Sequence, residues 1–195
     1  VTRIAASAFN SSSAVTSIVL GKNVKSIEKR AFAKCGTLES IVIPEGVESI
    51  GEYAFQRCIA LTKAELPSSL KTIGDYAFSS CTSLSELKIG ENVTSIGAYA
   101  FSGCENLKTL DIPDSVTSLS EYSFYSCTSL TDVTFGTGIK EVPAHSFDTC
   151  SALERISFSE GMQTLGEYSF ARCASIKTVS LPDSLTRVGD YSFSE

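Results

Sequence analysis

Histidine occurs once in this 195-residue chain, at His145, and no Cys-x-x-C pair is present. A zinc site therefore lacks its usual ligand spacing, and a nucleophile–His constellation has a single imidazole to draw on. Also missing are G-x-S-x-G, the P-loop, H-E-x-x-H and G-x-G-x-x-G, which removes the common routes to acyl transfer, phosphate binding, metallohydrolysis and dinucleotide binding. Nothing approaches 18 consecutive apolar residues, and no charged n-region precedes an apolar h-region, so neither a membrane helix nor a signal peptide is expected within these residues. Basic residues are not gathered into a patch, and the net charge is −6. Nucleic acid would be repelled, which sets that class of partner aside. No enzymatic activity and no obligate cofactor or metal are expected.

What the chain has is a period. Phe9, Phe32, Phe55, Phe78, Phe101, Phe124, Phe147, Phe170 and Phe193 stand 23 residues apart. Three residues after each comes Cys35, Cys58, Cys81, Cys104, Cys127, Cys150 or Cys173, with Ser12 in the first slot. Three further on is an aliphatic residue such as Leu38, Leu61 or Leu84, followed by alternating apolar positions such as Ile41 and Ile43. That alternation reads as a short half-buried strand. Pro44, Pro67, Pro113 and Pro182, or Gly21, Gly90 and Gly136, then end the strand in a turn. A second apolar pair such as Val47 and Ile50 leads to a frequent Gly and to Tyr-Ala-Phe or Tyr-Ser-Phe. The Phe-x-x-Cys spacing suits one helical or 3₁₀ turn at a corner.

A fixed period in the range of about 20–50 residues marks a solenoid, in which each unit buries its apolar side against its neighbours. The expected fold is an α/β, right-handed leucine-rich-repeat solenoid of short parallel strands with helical turns. One parallel sheet is expected from the L-x-x-I-x-I strands, with extended segments around V-x-x-I. Handedness follows the rule for parallel crossovers. At roughly 4.8 Å per coil, the array should be on the order of 40 Å long. Residues 1–195 form a single array, and its start and end within a unit suggest a segment of a longer protein.

The unit L-x-x-I-x-I-P-x-x-V-x-x-I-G-x-Y-A-F-x-x-C-x-x, read from Leu38 to Ala60, resembles the leucine-rich repeat of the BspA-like (Treponema pallidum type) family. The Asn that follows the strand in commoner leucine-rich repeats is absent. The resemblance implies a cell-surface or secreted protein of a bacterium or mucosal protozoan. Its partners would be host or cell-surface proteins, extracellular matrix included, with no membrane insertion of this segment. The alternative is a structural spacer that projects an adhesive domain located outside it.

Two surfaces stand out as candidates. On the L-x-x-I-x-I strands the outward residues vary from coil to coil, and Lys63, Glu65, Glu86, Lys88, Asp111, Asp132 and Arg155 form the candidate interaction surface. In a parallel stack Lys63 would face Glu86, Glu65 would face Lys88, Lys88 would face Asp111, and Asp132 would face Arg155. Such a ladder is either solvated charge or a recognition strip. The second is an aromatic stripe, Tyr53, Tyr76, Tyr99, Tyr122, Tyr168 and Tyr191, with His145 in the seventh slot. It could bind sugar or protein, but its regularity favours a half-buried ladder sealing one corner. Glu52, Asp75, Glu121, Glu167 and Asp190 make an acidic row beside it, read as a solubility device. The seventh unit is irregular, with Pro143 and His145 in place of Gly and Tyr. The cysteines, odd in number and one per coil, read as buried free thiols.

Overall fold

The computed structural model describes residues 1–195. Its strands are β1 (Arg3–Ile4), β2 (Ser17–Val19), β3 (Ser26–Ile27), β4 (Ser40–Val42), β5 (Ser49–Ile50), β6 (Lys63–Glu65), β7 (Thr72–Ile73) and β8 (Glu86–Lys88). There follow β9 (Ser95–Ile96), β10 (Thr109–Ile112), β11 (Ser118–Leu119), β12 (Asp132–Phe135), β13 (Glu141–Val142), β14 (Arg155–Ser157), β15 (Thr164–Leu165) and β16 (Arg187–Val188). Every pairing is parallel and shifts the register by one unit, as in Ile27↔Ile50, Ile50↔Ile73 and Leu110↔Val133. The chain is a parallel β-solenoid whose coils are the 23-residue units.

Two departures from the sequence expectation concern the corners and the sheets. No helix forms: the Tyr-Ala-Phe-x-x-Cys corner is a run of tight turns. Around Phe55, the N–H groups of Ala54, Gln56 and Cys58 close i→i−3 turns onto Gly51, Tyr53 and Phe55, while those of Tyr53, Phe55 and Arg57 donate to Asp75, Ala77 and Ser79 in the next coil. Every second donor is thus given to stacking, whereas a helix would keep all of them internal. Alternating the donors this way requires left-handed residues, and Tyr53 (φ 59) and Arg57 (φ 58) supply them without glycine. A non-glycine residue there costs of the order of 1 kcal/mol, which repetition through the stack holds in place.

The second departure is in the sheets. The L-x-x-I-x-I strands do not form one sheet but three short ones, β2-β4, β6-β8 and β10-β12-β14. The longest sheet is made by the V-x-x-I strands, β1-β3-β5-β7-β9-β11, continued as β13-β15-β16.

Alternation along the strands decides what is inside. In β4 and β6 the central residues Ile41 and Ala64 are buried and their flanking residues exposed. The apolar columns merge into one core running the length of the array. At its centre the Phe9 to Phe193 rings stack with centroids 4.9–5.4 Å apart. Phe32, Phe55, Phe78, Phe101, Phe124, Phe147 and Phe170 are fully buried.

The cysteines form a second column, all free and all buried. Each thiol turns to the Phe carbonyl of the preceding coil, as in Cys58 Sγ to Phe32 O at 3.1 Å and Cys81 Sγ to Phe55 O at 3.1 Å. A small apolar residue with a weak donor therefore fits this slot. Burial pushes the Cys81 thiol up to about 12 and raises those of Cys104, Cys127 and Cys150, whereas the hydrogen bond with Cys58 lowers Cys35 to about 7. Thiolate is the reactive form, so a disulfide-exchange reagent should reach Cys35 first in the native protein, titrate the other six slowly, and react with all seven at once in denaturant. Rapid reaction of more than one thiol in the native protein would contradict this packing.

Candidate functional site

The strip on the L-x-x-I-x-I strands lies where the alternation puts it. Lys63, Glu65, Glu86, Lys88, Asp111 and Arg155 are exposed and Asp132 is half-buried, all pointing away from the core. The registers Lys63↔Glu86, Glu65↔Lys88 and Asp132↔Arg155 follow the spacing.

Contact is made only at the two ends. Lys63 Nζ lies 3.7 Å from Glu86 and 3.9 Å from Glu65. Arg155 clamps Asp132 through both Nε and Nη2, and Thr131 Oγ1 donates to the same carboxylate at 2.6 Å. The Arg155 hydrogen bond holds the Asp132 carboxyl below its usual range and raises the guanidinium in return. Glu65 faces Lys88 as expected, but neither Glu65–Lys88 nor Lys88–Asp111 forms an ion pair. Glu65 and Lys88 share a backbone register with their charges apart, whereas Lys88 and Asp111 stand on β8 and β10, which belong to different sheets. Pairs this exposed are worth about 0.2–1 kcal/mol each, so neither the bonds made nor those missing decide stability.

The strip also borders relief. One hollow of about 640 Å³ is lined by residues from Ser40 to Glu91, and an adjoining one of about 630 Å³ by residues from Leu87 to Gly136.

The aromatic stripe is a continuous stack. Tyr53, Tyr76, Tyr99, Tyr122, His145, Tyr168 and Tyr191 lie 4.5–4.9 Å apart with near-parallel planes. Tyr53 through Tyr168 are half-buried and Tyr191 is exposed. Partial burial, with the neighbouring phenols next, raises the Tyr76 and Tyr99 hydroxyls. Ring faces that stack on one another are closed to a sugar, leaving only edges to solvent. A further rung was hidden in the sequence: Arg30 occupies the Tyr slot of its coil, its guanidinium 5.1 Å from the Tyr53 centroid. That is a cation–π cap on the ladder, and counting 23 back from Tyr53 would have found it.

The irregular seventh unit keeps its aromatic rung but interrupts the long sheet: Pro143 has no N–H for the ladder bond that Gly51, Gly74 and Gly97 make, and pairing breaks between β11 and β13. His145 keeps its place between Tyr122 and Tyr168. Its Nδ1 lies 3.0 Å from Asp148 Oδ2, an oxygen also bonded by Arg172 Nη2, while Thr149 Oγ1 donates to Oδ1 at 3.0 Å. The Asp148 side chain is 1% exposed, so these partners compensate a buried carboxylate. Sequence reading singled out His145 but missed Asp148, whose slot holds Ser, Tyr or Ala in neighbouring coils.

No group of His, Cys, Asp or Glu side chains is arranged to hold a metal ion, and no helix is long and apolar enough to cross a membrane.

Comparison with known proteins agrees with this architecture. The chain matches the BspA type leucine rich repeat region, in 6 copies, over residues 2–119 and 83–195. No curated protein matches it. Among solved structures it is similar to the leucine rich repeat protein of T. pallidum, at 28% identity and a TM-score of 0.79, covering 83% of this chain and 78% of that one. At 22% identity it shares the fold of a leucine-rich repeat protein from Eubacterium ventriosum, with a TM-score of 0.62 over 99% of this chain and 80% of that one. The Pneumococcal vaccine antigen PcpA also shares it at 22% identity, with a TM-score of 0.56 over 97% of this chain and 64% of that one. With a repeat that matches from end to end, this chain belongs to the BspA-type leucine-rich-repeat family.

Proposed function

We propose that the chain is a non-enzymatic protein-interaction module of a cell-surface or secreted protein, serving adhesion to host or cell-surface proteins. The observation that carries this reading is the contrast between its two layers. Core columns repeat coil after coil, while the outward residues of β2, β4, β6, β8, β10, β12 and β14 change from valine to opposite charges to hydroxyls. Exposed strand faces of repeat arrays commonly serve as extended binding surfaces. The name of one structural relative, a leucine rich cell surface protein from Faecalibacterium prausnitzii, is in keeping with such a location. The spacer reading draws on the ion pairs Lys63–Glu86 and Asp132–Arg155, which show part of the strip satisfying itself.

The two readings part under mutation. Changing Lys63, Glu65, Asp132 and Arg155 together to Ala should abolish micromolar binding to an immobilised extracellular-matrix preparation while the melting curve stays in place. Undiminished binding by that variant, or no binding by the unaltered chain, favours the spacer.

A further inference from the structure

The two hollows beside the strip are one trough, since both are lined by Lys88 and Glu91. Its first wall is the strand row Val42, Glu65, Lys88, Asp111 and Thr134; its second is the turn row Glu45, Ser68, Glu91 and Asp114. Between them the bottom is closed by the buried core residues Leu66, Ile89 and Ile112 and by Pro67, with only Pro113 partly open to solvent. At Gly90 a Cβ would stand 2.3 Å from the Pro67 carbonyl oxygen. Glycine there lets the turn stack directly on the backbone of the preceding coil.

The walls are charged unequally. Five carboxylates, those of Glu45, Glu65, Glu91, Asp111 and Asp114, face two lysines, and Lys63 is already engaged by Glu65 and Glu86. Glu91, Asp111 and Asp114 have no ion-pair partner within the chain. Glu45 accepts the N–H groups of Ser68 and Ser69, and Asp114 that of Thr137, which fixes both carboxylates on the rim.

We propose that this trough docks an extended, arginine-bearing peptide segment of a partner protein. The segment would lie along the trough and its guanidinium groups would bridge the carboxylates of the two walls. Arginine suits such a site because its planar fork matches a carboxylate bidentately and its charge is fixed. The proposal rests on the reading of this face as a recognition surface and narrows it to coils between Val42 and Thr134, with the turn residues Glu45, Glu91 and Asp114 added to the strip.

The test is fluorescence anisotropy of the full chain with a labelled, unstructured Arg–Ser repeat peptide at low ionic strength, against a Glu–Ser peptide of equal length. Binding should favour Arg–Ser. It should weaken at least about tenfold in Glu91→Gln/Asp111→Asn, in keeping with lost charge-assisted hydrogen bonds, and tighten in Lys88→Gln. These side chains are exposed, so the variants should keep the parental melting curve. Equal binding of both peptides, or an unaffected double variant, overturns the proposal. Displacement by stoichiometric calcium chloride, but not by sodium chloride at matched ionic strength, overturns it in favour of a cation site. If the peptide fails while the Lys63/Glu65/Asp132/Arg155 variant loses matrix binding, the trough is wrong and the recognition strip stands. The opposite pattern leaves the trough and removes the strip.

Discussion

Phe78→Ala should lower the stability of the array by about 3–5 kcal/mol, with a fall in Tm of roughly 6–20 °C. The ring is fully buried and stacks on two others, Phe55 at 4.9 Å and Phe101 at 5.2 Å. Truncation therefore removes its burial and both stacking contacts, each worth about 0.5–1.5 kcal/mol beyond area, and leaves a void that the stack can close only by shortening. In a repeat array stability is a sum of unit and nearest-neighbour terms, so the damage falls on both interfaces of one coil. The melting transition should broaden as the two halves lose coupling. Phe9→Ala is the control: that ring has one stacking partner, Phe32, and is only partly buried, so its loss should cost less and leave the transition sharp. An unchanged Tm in Phe78→Ala would contradict the central Phe column.

The columns were legible because each is a single residue type recurring at a fixed interval, and burial acts on residue type. The corners were not. Phe and Cys three apart fit a helical turn and a chain of β-turns equally well, and what separates the two is the sign of φ at Tyr53 and Arg57. Left-handed backbone is usually advertised by glycine; here it is imposed on Tyr, Arg, Lys and Ser by hydrogen bonds to the next coil, a nonlocal cause that no single repeat displays. The same limit applies to the strip. Register alone predicted which charges share a row, whereas the break in pairing between β8 and β10, which separates Lys88 from Asp111, is not written in the repeat. The trough was half legible, since Pro67, Gly90 and Pro113 announce small turn residues, but its second wall appears only once strand and turn are seen side by side.

Ser123→Ala/Ser169→Ala should stabilise the protein by about 2–5 kcal/mol. The position before the core Phe is Ala at residues 8, 31, 54, 77 and 100, and Ser at 123, 146, 169 and 192. Ser123 and Ser169 are fully buried and their hydroxyls have no hydrogen-bond partner. An unsatisfied buried hydroxyl costs about 1–3 kcal/mol, and alanine removes it with almost no change in backbone preference for this corner, as five coils already show. The other two serines define the contrast. Ser146 Oγ donates to Pro143 O at 2.8 Å, and Ser192 Oγ to Gly189 O at 2.6 Å and Gly166 O at 2.9 Å. The Gly166 carbonyl that Ser169 would need by analogy is thus already taken by Ser192. Ser146→Ala should therefore be neutral or lose about 1 kcal/mol. Because the two target sites are two coils apart, roughly 10 Å at the strand spacing, their effects should add. Chemical denaturation of the three proteins distinguishes the cases: a midpoint for Ser123→Ala/Ser169→Ala at or below that of the parent would mean that these hydroxyls find partners, and that the Ala-to-Ser change along the array carries no penalty.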